Sequence, residues 1–129
     1  MCATRNEQRV DLPDDLSAAR AFRDVLRRGI CPEHGAASLD TALLLATELA
    51  VNAVRHGSPP VFATVTCCDD VLRLSVRDSD PRLPEPREAA PGDVSGRGMA
   101  LVAALSERWG VDSHEGDGKT VWLELRTAA

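Results

Sequence analysis

The chain has 129 residues and a formal net charge of −5 at pH 7, with 43% hydrophobic and 27% charged residues. This size and composition are typical of one soluble globular domain, which buries about two thirds of its unfolded surface. The acidic balance argues against nucleic acid as a partner and against an anionic membrane surface, because both carry negative charge.

The cysteines and the N-terminal segment indicate the cellular setting. The four cysteines include no CxxC pair, so we expect free thiols in a reducing cytosol rather than a zinc site. Residues 1–8 are polar and lack an apolar signal core, and no run reaches the roughly 20 apolar residues of a membrane span. We therefore expect a cytoplasmic protein with a flexible N-terminus over residues 1–8 and a single domain over residues 9–126.

The first elements predicted are a short strand and a helix. The strand covers residues 9–12, and the helix covers residues 16–28, where apolar side chains recur at helical spacing. Either Asp14 or Asp15 offers an N-cap for this helix.

A second helix is predicted over residues 38–56, after a linker over residues 31–37, and Gly57 ends it. It holds the longest apolar run of the chain, yet Glu48 and Asn52 lie inside it, four residues apart and therefore on one face. A solvated face would explain such a pair. However, a solvated face is usually charged along its whole length, and Asn is a poor helix former. The amide oxygen can ligate Mg²⁺, and the carboxylate can act as a general base.

The second half of the chain predicts four strands, a long loop and a third helix. The predicted segments are a hairpin over 61–66 and 71–76, a loop over 78–95, a helix over 96–108, and strands over 109–113 and 119–125. The order of all elements predicts an α/β (α+β) two-layer sandwich, in which helices cover one face of a mixed, mostly antiparallel sheet.

Two loop motifs in this half have two interpretations each. Asp78 ends a predicted strand, where its carboxylate can accept a hydrogen bond from a base amine, although a turn-forming role before Ser79 explains it equally well. Gly96 and Gly98 open the third helix, whose N-terminal N–H groups favour a phosphate. The alternative there is that Ser95 is a simple N-cap.

The run Gly118-Lys119-Thr120 is not a P-loop. The P-loop pattern needs a glycine where Ser113 stands and a helix after the motif, whereas a strand is predicted here. Thr120 could still contact a phosphate from the start of that strand.

Taken in order, these motifs resemble the GHKL (Bergerat-fold) ATPase superfamily. The resemblance rests on the segments ELAVNAVRHG, VRDSDPRLP, GRGMALVAALSERWG and GKTVWLEL. Within the superfamily, the chain is similar to the small stand-alone anti-sigma-factor serine/threonine kinases and their histidine-kinase-like ATPase relatives. The resemblance implies a Bergerat ATP-binding fold for residues 9–126, with an ATP lid over residues 79–97.

The resemblance also implies a role for each motif residue. Glu48 corresponds to the catalytic base, Asn52 to the asparagine that coordinates Mg²⁺, and Asp78 to the aspartate that binds the adenine amine. Gly96 and Gly98 correspond to the lid glycines at the phosphates.

The resemblance extends to Thr120 near the end of the chain, but the loop after Asp78 departs from the family pattern. Thr120 corresponds to a late threonine near the adenine and the phosphates. The family's first glycine box reads Asp-x-Gly-x-Gly, whereas here both glycines after Asp78 are missing and Asp80 adds a second negative charge.

The function implied is that of an ATP- and Mg²⁺-dependent serine/threonine kinase. It would phosphorylate an anti-anti-sigma factor, sequester a sigma factor and form a homodimer. Because the box glycines are missing, the alternative is a non-catalytic module that binds a sigma factor or antagonist. A third interpretation is a stand-alone ATPase related to sensor-kinase catalytic domains.

Overall fold

The structure is a computed structural model that describes residues 2–30, 32–69, 71–80, 97–114 and 116–126. The elements in these ranges are β1 (Cys2–Leu12), α1 (Ser17–Gly29), α2 (Pro32–His56), β2 (Val61–Asp69), β3 (Val71–Asp78), α3 (Arg97–Leu105), β4 (Arg108–Ser113) and β5 (Lys119–Arg126).

The five strands form one sheet in the order β1-β2-β3-β5-β4, and every neighbouring pair is antiparallel. The predicted hairpin of β2 and β3 is present, and it runs from Phe62 opposite Arg77 to Cys68 opposite Val71. At the other end of β3, Asp78 pairs with Lys119 of β5. The open sheet with three helices confirms the predicted α+β fold.

One apolar core lies between the sheet and the helices. Side chains alternate along β3 and β5, so that Leu72, Leu74 and Leu123 are fully buried. Phe22 and Leu26 of α1 are also fully buried. Burying a side chain of this size contributes about 1.5–3 kcal/mol, so these five residues are major contributors to the stability of the fold.

Strand β1 is longer than the sequence predicted. It begins at Cys2 rather than at residue 9, so the segment predicted as a flexible N-terminus includes strand residues that pair with β2, for example Asn6 with Cys67. The extension arises because β2 itself is long and offers its backbone groups to a partner along its length.

Helix α2 also begins earlier than predicted. It starts at Pro32, so the predicted linker over residues 31–37 lies largely inside the helix. Proline is compatible with this start because a first helical residue needs no hydrogen-bonded N–H group. The end of the helix at His56 agrees with the sequence prediction.

Helix α3 is shorter than predicted and ends at Leu105. The backbone N–H of Glu107 already donates to the carbonyl oxygen of Glu124 in β5, at 2.8 Å. The chain therefore joins the sheet at a point where the sequence pattern still predicted a helix. In the described part of the chain, no helix has the length and apolarity that a membrane crossing requires.

Candidate functional site

The second half of α2 presents Glu48 and Asn52 on one face, as the spacing predicted. Both side chains are half-buried, and the buried residues Leu45, Leu49 and Ala53 lie around them on the helix. Glu48 and Asn52 therefore lie on a packed helix rather than on a fully solvated face.

The amide of Asn52 lies against helix α3. Its Nδ2 atom is 3.9 Å from the sulfur of Met99, a weak acceptor whose side chain is almost fully buried. Within the ranges that the structure describes, no donor reaches Asn52 Oδ1, and the carboxylate of Glu48 makes no hydrogen bond or ion pair. As far as the described residues are concerned, both oxygen groups are therefore open to a ligand.

Asp78 occupies the last position of β3 and is only 3% exposed. Its Oδ1 atom accepts hydrogen bonds from the backbone N–H of Asp80 at 2.7 Å and from Lys119 Nζ at 3.1 Å. Lys119 is also 3% exposed, and its ammonium group donates a second bond to the carbonyl oxygen of Asp80 at 2.9 Å. Among the residues described, no hydrogen bond reaches Asp78 Oδ2.

Two glycines allow the backbone to approach Asp78 closely. A Cβ atom at Gly57 would lie 2.6 Å from Asp78 Cγ and 2.8 Å from Oδ2. A Cβ atom at Gly118 would lie 2.0 Å from the carbonyl oxygen of Asp78, and the φ angle of Gly118 is +104°. Neither position has room for a side chain. The sequence indicated Gly57 only as a helix stop, so this packing role was missed.

The end of β3 is fastened to the segment that follows α2. The backbone N–H of Ser79 donates to the carbonyl oxygen of Ser58 at 2.8 Å, and the Ser79 hydroxyl lies 3.3 Å from the carbonyl oxygen of Pro60. These bonds hold the C-terminal end of α2 beside Asp78. The site thus combines the ends of α2 and β3 with the start of β5.

Thr120 does not join this group, although the resemblance to the superfamily pointed to it. Side chains alternate along β5, so Lys119 and Val121 face the helices while Thr120 faces the other side of the sheet. The Thr120 hydroxyl lies 2.8 Å from His114 Nε2. Lys119 is therefore the β5 residue that reaches Asp78, and sequence reasoning missed it because it considered this lysine only within a P-loop pattern.

The glycines of the third helix are only partly covered by the structure. Gly96 and the greater part of the lid predicted over residues 79–97 lie outside the described residues. Gly98 belongs to the first turn of α3.

The described residues fit a nucleotide with Mg²⁺ better than a metal held by protein alone. In the ranges covered by the structure, no three His, Cys, Asp or Glu side chains gather around a metal position. The free Oδ1 atom of Asn52 could be a single protein ligand to Mg²⁺, which usually takes its remaining ligands from phosphates and water. The free Oδ2 atom of Asp78 matches an amine donor.

The model of the histidine kinase-like ATPase domain matches residues 11–125, and the chain therefore belongs to this family, within the GHKL superfamily. Membership of this family supports an ATP-binding regulatory function for the chain. It also indicates a kinase or an ATPase.

The chain is also similar to an uncharacterised protein of Streptomyces coelicolor, to which it is 36% identical over 83 residues. That match covers 60% of this chain and 78% of the relative.

Among solved structures, the chain is similar to the histidine kinase domain of the blue-light activated histidine kinase from Erythrobacter litoralis EL346. The sequences are 22% identical, the TM-score is 0.49, and the match covers 85% of this chain and 58% of that one. A second structure of that kinase gives a TM-score of 0.44 at 22% identity, over 68% of this chain and 31% of the other. The chain thus spans less than two thirds of either structure.

Proposed function

We propose that the protein is an anti-sigma regulatory protein and an Mg-ATP-dependent serine/threonine kinase. Its substrate would be an anti-anti-sigma factor, and it would also bind and sequester a sigma factor. The protein would act as a homodimer in the cytoplasm. The observation that carries the proposal is the buried Asp78 carboxylate, which lies at the end of β3 beside the C-terminal end of the helix that holds Glu48 and Asn52. No described residue donates a hydrogen bond to its Oδ2 atom.

The adenine end of the nucleotide is assigned to Asp78. A buried acceptor without a hydrogen bond costs about 1–3 kcal/mol, so a ligand that supplies a donor to Oδ2 recovers this free energy. The exocyclic amine of adenine is such a donor. Gly57 supports the assignment, because its missing side chain lets α2 end against this carboxylate.

The phosphate end is assigned to Glu48 and Asn52. Asn52 would hold Mg²⁺ through Oδ1, and Mg-ATP supplies the phosphoryl group and the charge compensation when it is bound. Glu48, half-buried and free of ion pairs in the described region, would take the proton from the hydroxyl group of a serine or threonine of the partner. Gly96 and Gly98 would let the helix N-terminus approach the phosphates.

The test is transfer of labelled phosphate from ATP to candidate anti-anti-sigma proteins in the presence of Mg²⁺. We expect Asn52→Ala to abolish the transfer, because its Mg²⁺ ligand is lost. Arg55→Ala is the matched control, since Arg55 is exposed one turn further along the same helix, and it should retain transfer. Full transfer by Asn52→Ala would contradict the assignment.

A second candidate function is a non-catalytic module that binds a sigma factor or an antagonist. It is favoured by the missing glycines after Asp78, where the sequence reads Ser-Asp-Pro-Arg. Binding of the protein partner without any heat from millimolar Mg-ATP would support the module. Hydrolysis of ATP without a protein acceptor would instead indicate a stand-alone ATPase.

A further inference from the structure

The buried ion pair between Asp78 and Lys119 has an unused donor. An ammonium group has three N–H donors. Two of them are taken by Asp78 Oδ1 at 3.1 Å and by the Asp80 carbonyl oxygen at 2.9 Å. The described residues supply no third acceptor to Lys119, which is 3% exposed. Among the described residues, one buried N–H of a charged group thus has no acceptor.

The same ion pair has an unused acceptor, Asp78 Oδ2. Since Lys119 is bonded to the other oxygen of the same carboxylate, the free N–H and the free oxygen belong to neighbouring groups. A ligand that satisfies both must carry a hydrogen-bond donor next to an acceptor. A ligand with the reverse order would place its acceptor against Asp78 Oδ2 and its donor against the N–H of Lys119, and both contacts would be repulsive.

We propose that Lys119 and Asp78 together read the Watson–Crick edge of adenine, which makes Lys119 a residue that determines base specificity. Asp78 Oδ2 accepts a hydrogen bond from the exocyclic amine, and the third N–H of Lys119 donates to ring nitrogen N1. This inference rests on the proposed function and deepens it at the same site. Guanine and hypoxanthine present an O6 acceptor and an N1–H donor, so both contacts are repulsive for them.

A buried ion pair alone would not support this inference, because such pairs often serve only the fold. The difference here is that the described residues leave one hydrogen-bonding position open on each partner, although Asp78 and Lys119 are each only 3% exposed. A pair that served packing alone would be expected to have these positions filled, because unfilled buried positions are destabilising.

The experiment compares the affinities of the unaltered protein for Mg-ATP, Mg-ITP and Mg-1-deaza-ATP, an analogue in which a C–H group replaces N1. We expect 1-deaza-ATP to bind about tenfold more weakly than ATP, because one hydrogen bond to a charged donor is lost. ITP should bind more weakly still. Equal affinity for ATP and 1-deaza-ATP would overturn the role of Lys119 while ATP binding itself stands. No binding of any nucleotide would contradict both this inference and the proposed function.

A variant adds a second readout. In Lys119→Met the donor is lost, so we expect ATP and 1-deaza-ATP to bind equally well. Arg73→Met is the matched control, because Arg73 lies on the opposite face of the sheet, where it pairs with Glu124. It should keep the tenfold preference. A preference that persists in Lys119→Met would overturn the proposal. Should that variant not fold, the comparison in the unaltered protein decides the question.

Discussion

At the scale of single residues, the site depends on two positions next to the Asp78 carboxylate that have no room for a side chain. Gly57 and Gly118 approach Asp78 from two sides, where a Cβ atom would overlap its carboxylate or its backbone. Lys119 donates to one carboxylate oxygen, and no residue in the described ranges donates to the other. The position of this oxygen therefore depends on two glycines that belong to neither the proposed adenine contacts nor the proposed phosphate contacts.

We predict that Gly57→Ala weakens nucleotide binding and lowers the free energy of unfolding by about 1–3 kcal/mol, because the new Cβ atom overlaps Asp78 and the carbonyl oxygen of Ala53. Chemical denaturation and a titration with Mg-ATP measure the two effects.

The control is Gly116→Ala. Gly116 has a φ angle of +90°, so alanine is strained there as well, but no atom lies within 4 Å of its added Cβ. This variant should lose stability and keep its affinity for the nucleotide. Unchanged ATP affinity in Gly57→Ala would show that the close approach at Asp78 does not shape the site.

At the scale of elements, α1 shows how the ends of a helix are fixed. Ser17 is its first residue, and Leu16 before it provides no side-chain cap. Asp15 performs this task instead, because its carboxylate accepts hydrogen bonds from the Ser17 hydroxyl and from the Ser17 backbone N–H at 2.8 Å. These two bonds hold the pKa of Asp15 below its ordinary value of 3.8, the hydroxyl bond having the larger effect.

This lowered pKa predicts a dependence of stability on pH. A group whose pKa falls on folding stabilises the folded state above its unfolded pKa, and the stabilisation is lost as the pH drops through the folded pKa. Asp15→Ala should therefore be less stable than the unaltered protein at pH 7, and the difference should shrink below about pH 3.8. Urea denaturation at several pH values measures it.

The matched variant is Asp14→Ala, which removes the neighbouring carboxylate while leaving both bonds to Ser17 in place. We expect it to retain stability at pH 7. A loss in Asp14→Ala equal to that in Asp15→Ala would contradict the assignment of the cap.

The sequence predicted the type of every element, and its errors concern ends that depend on distant partners. The strand β1 extends to Cys2 because β2 pairs with it, and no local pattern in the polar residues 2–8 indicates that partner. In the same way, α3 ends early because the backbone of Glu107 is captured by β5. Periodicity reports local preference, whereas these boundaries are set by pairing across the sheet.

At the scale of the whole molecule, the fold gathers the ends of α2 and β3, the start of β5, and α3 around one region. The spacing within α2 was sufficient to predict that Glu48 and Asn52 share a face. The register of β3 against β5 could not be obtained in this way, and it is this register that brings Lys119 rather than Thr120 to Asp78. One residue along a strand changes the face of the sheet, so the resemblance in sequence alone did not distinguish them.

The central claim is that this region binds Mg-ATP through Asp78 although the glycines that normally follow this aspartate in the family are absent. A calorimetric titration of the unaltered protein with Mg-ATP tests it most directly. We predict saturable binding of one nucleotide per chain, and loss of that binding in Asp78→Ala. The absence of heat up to millimolar Mg-ATP, or equal binding by Asp78→Ala, would contradict the claim.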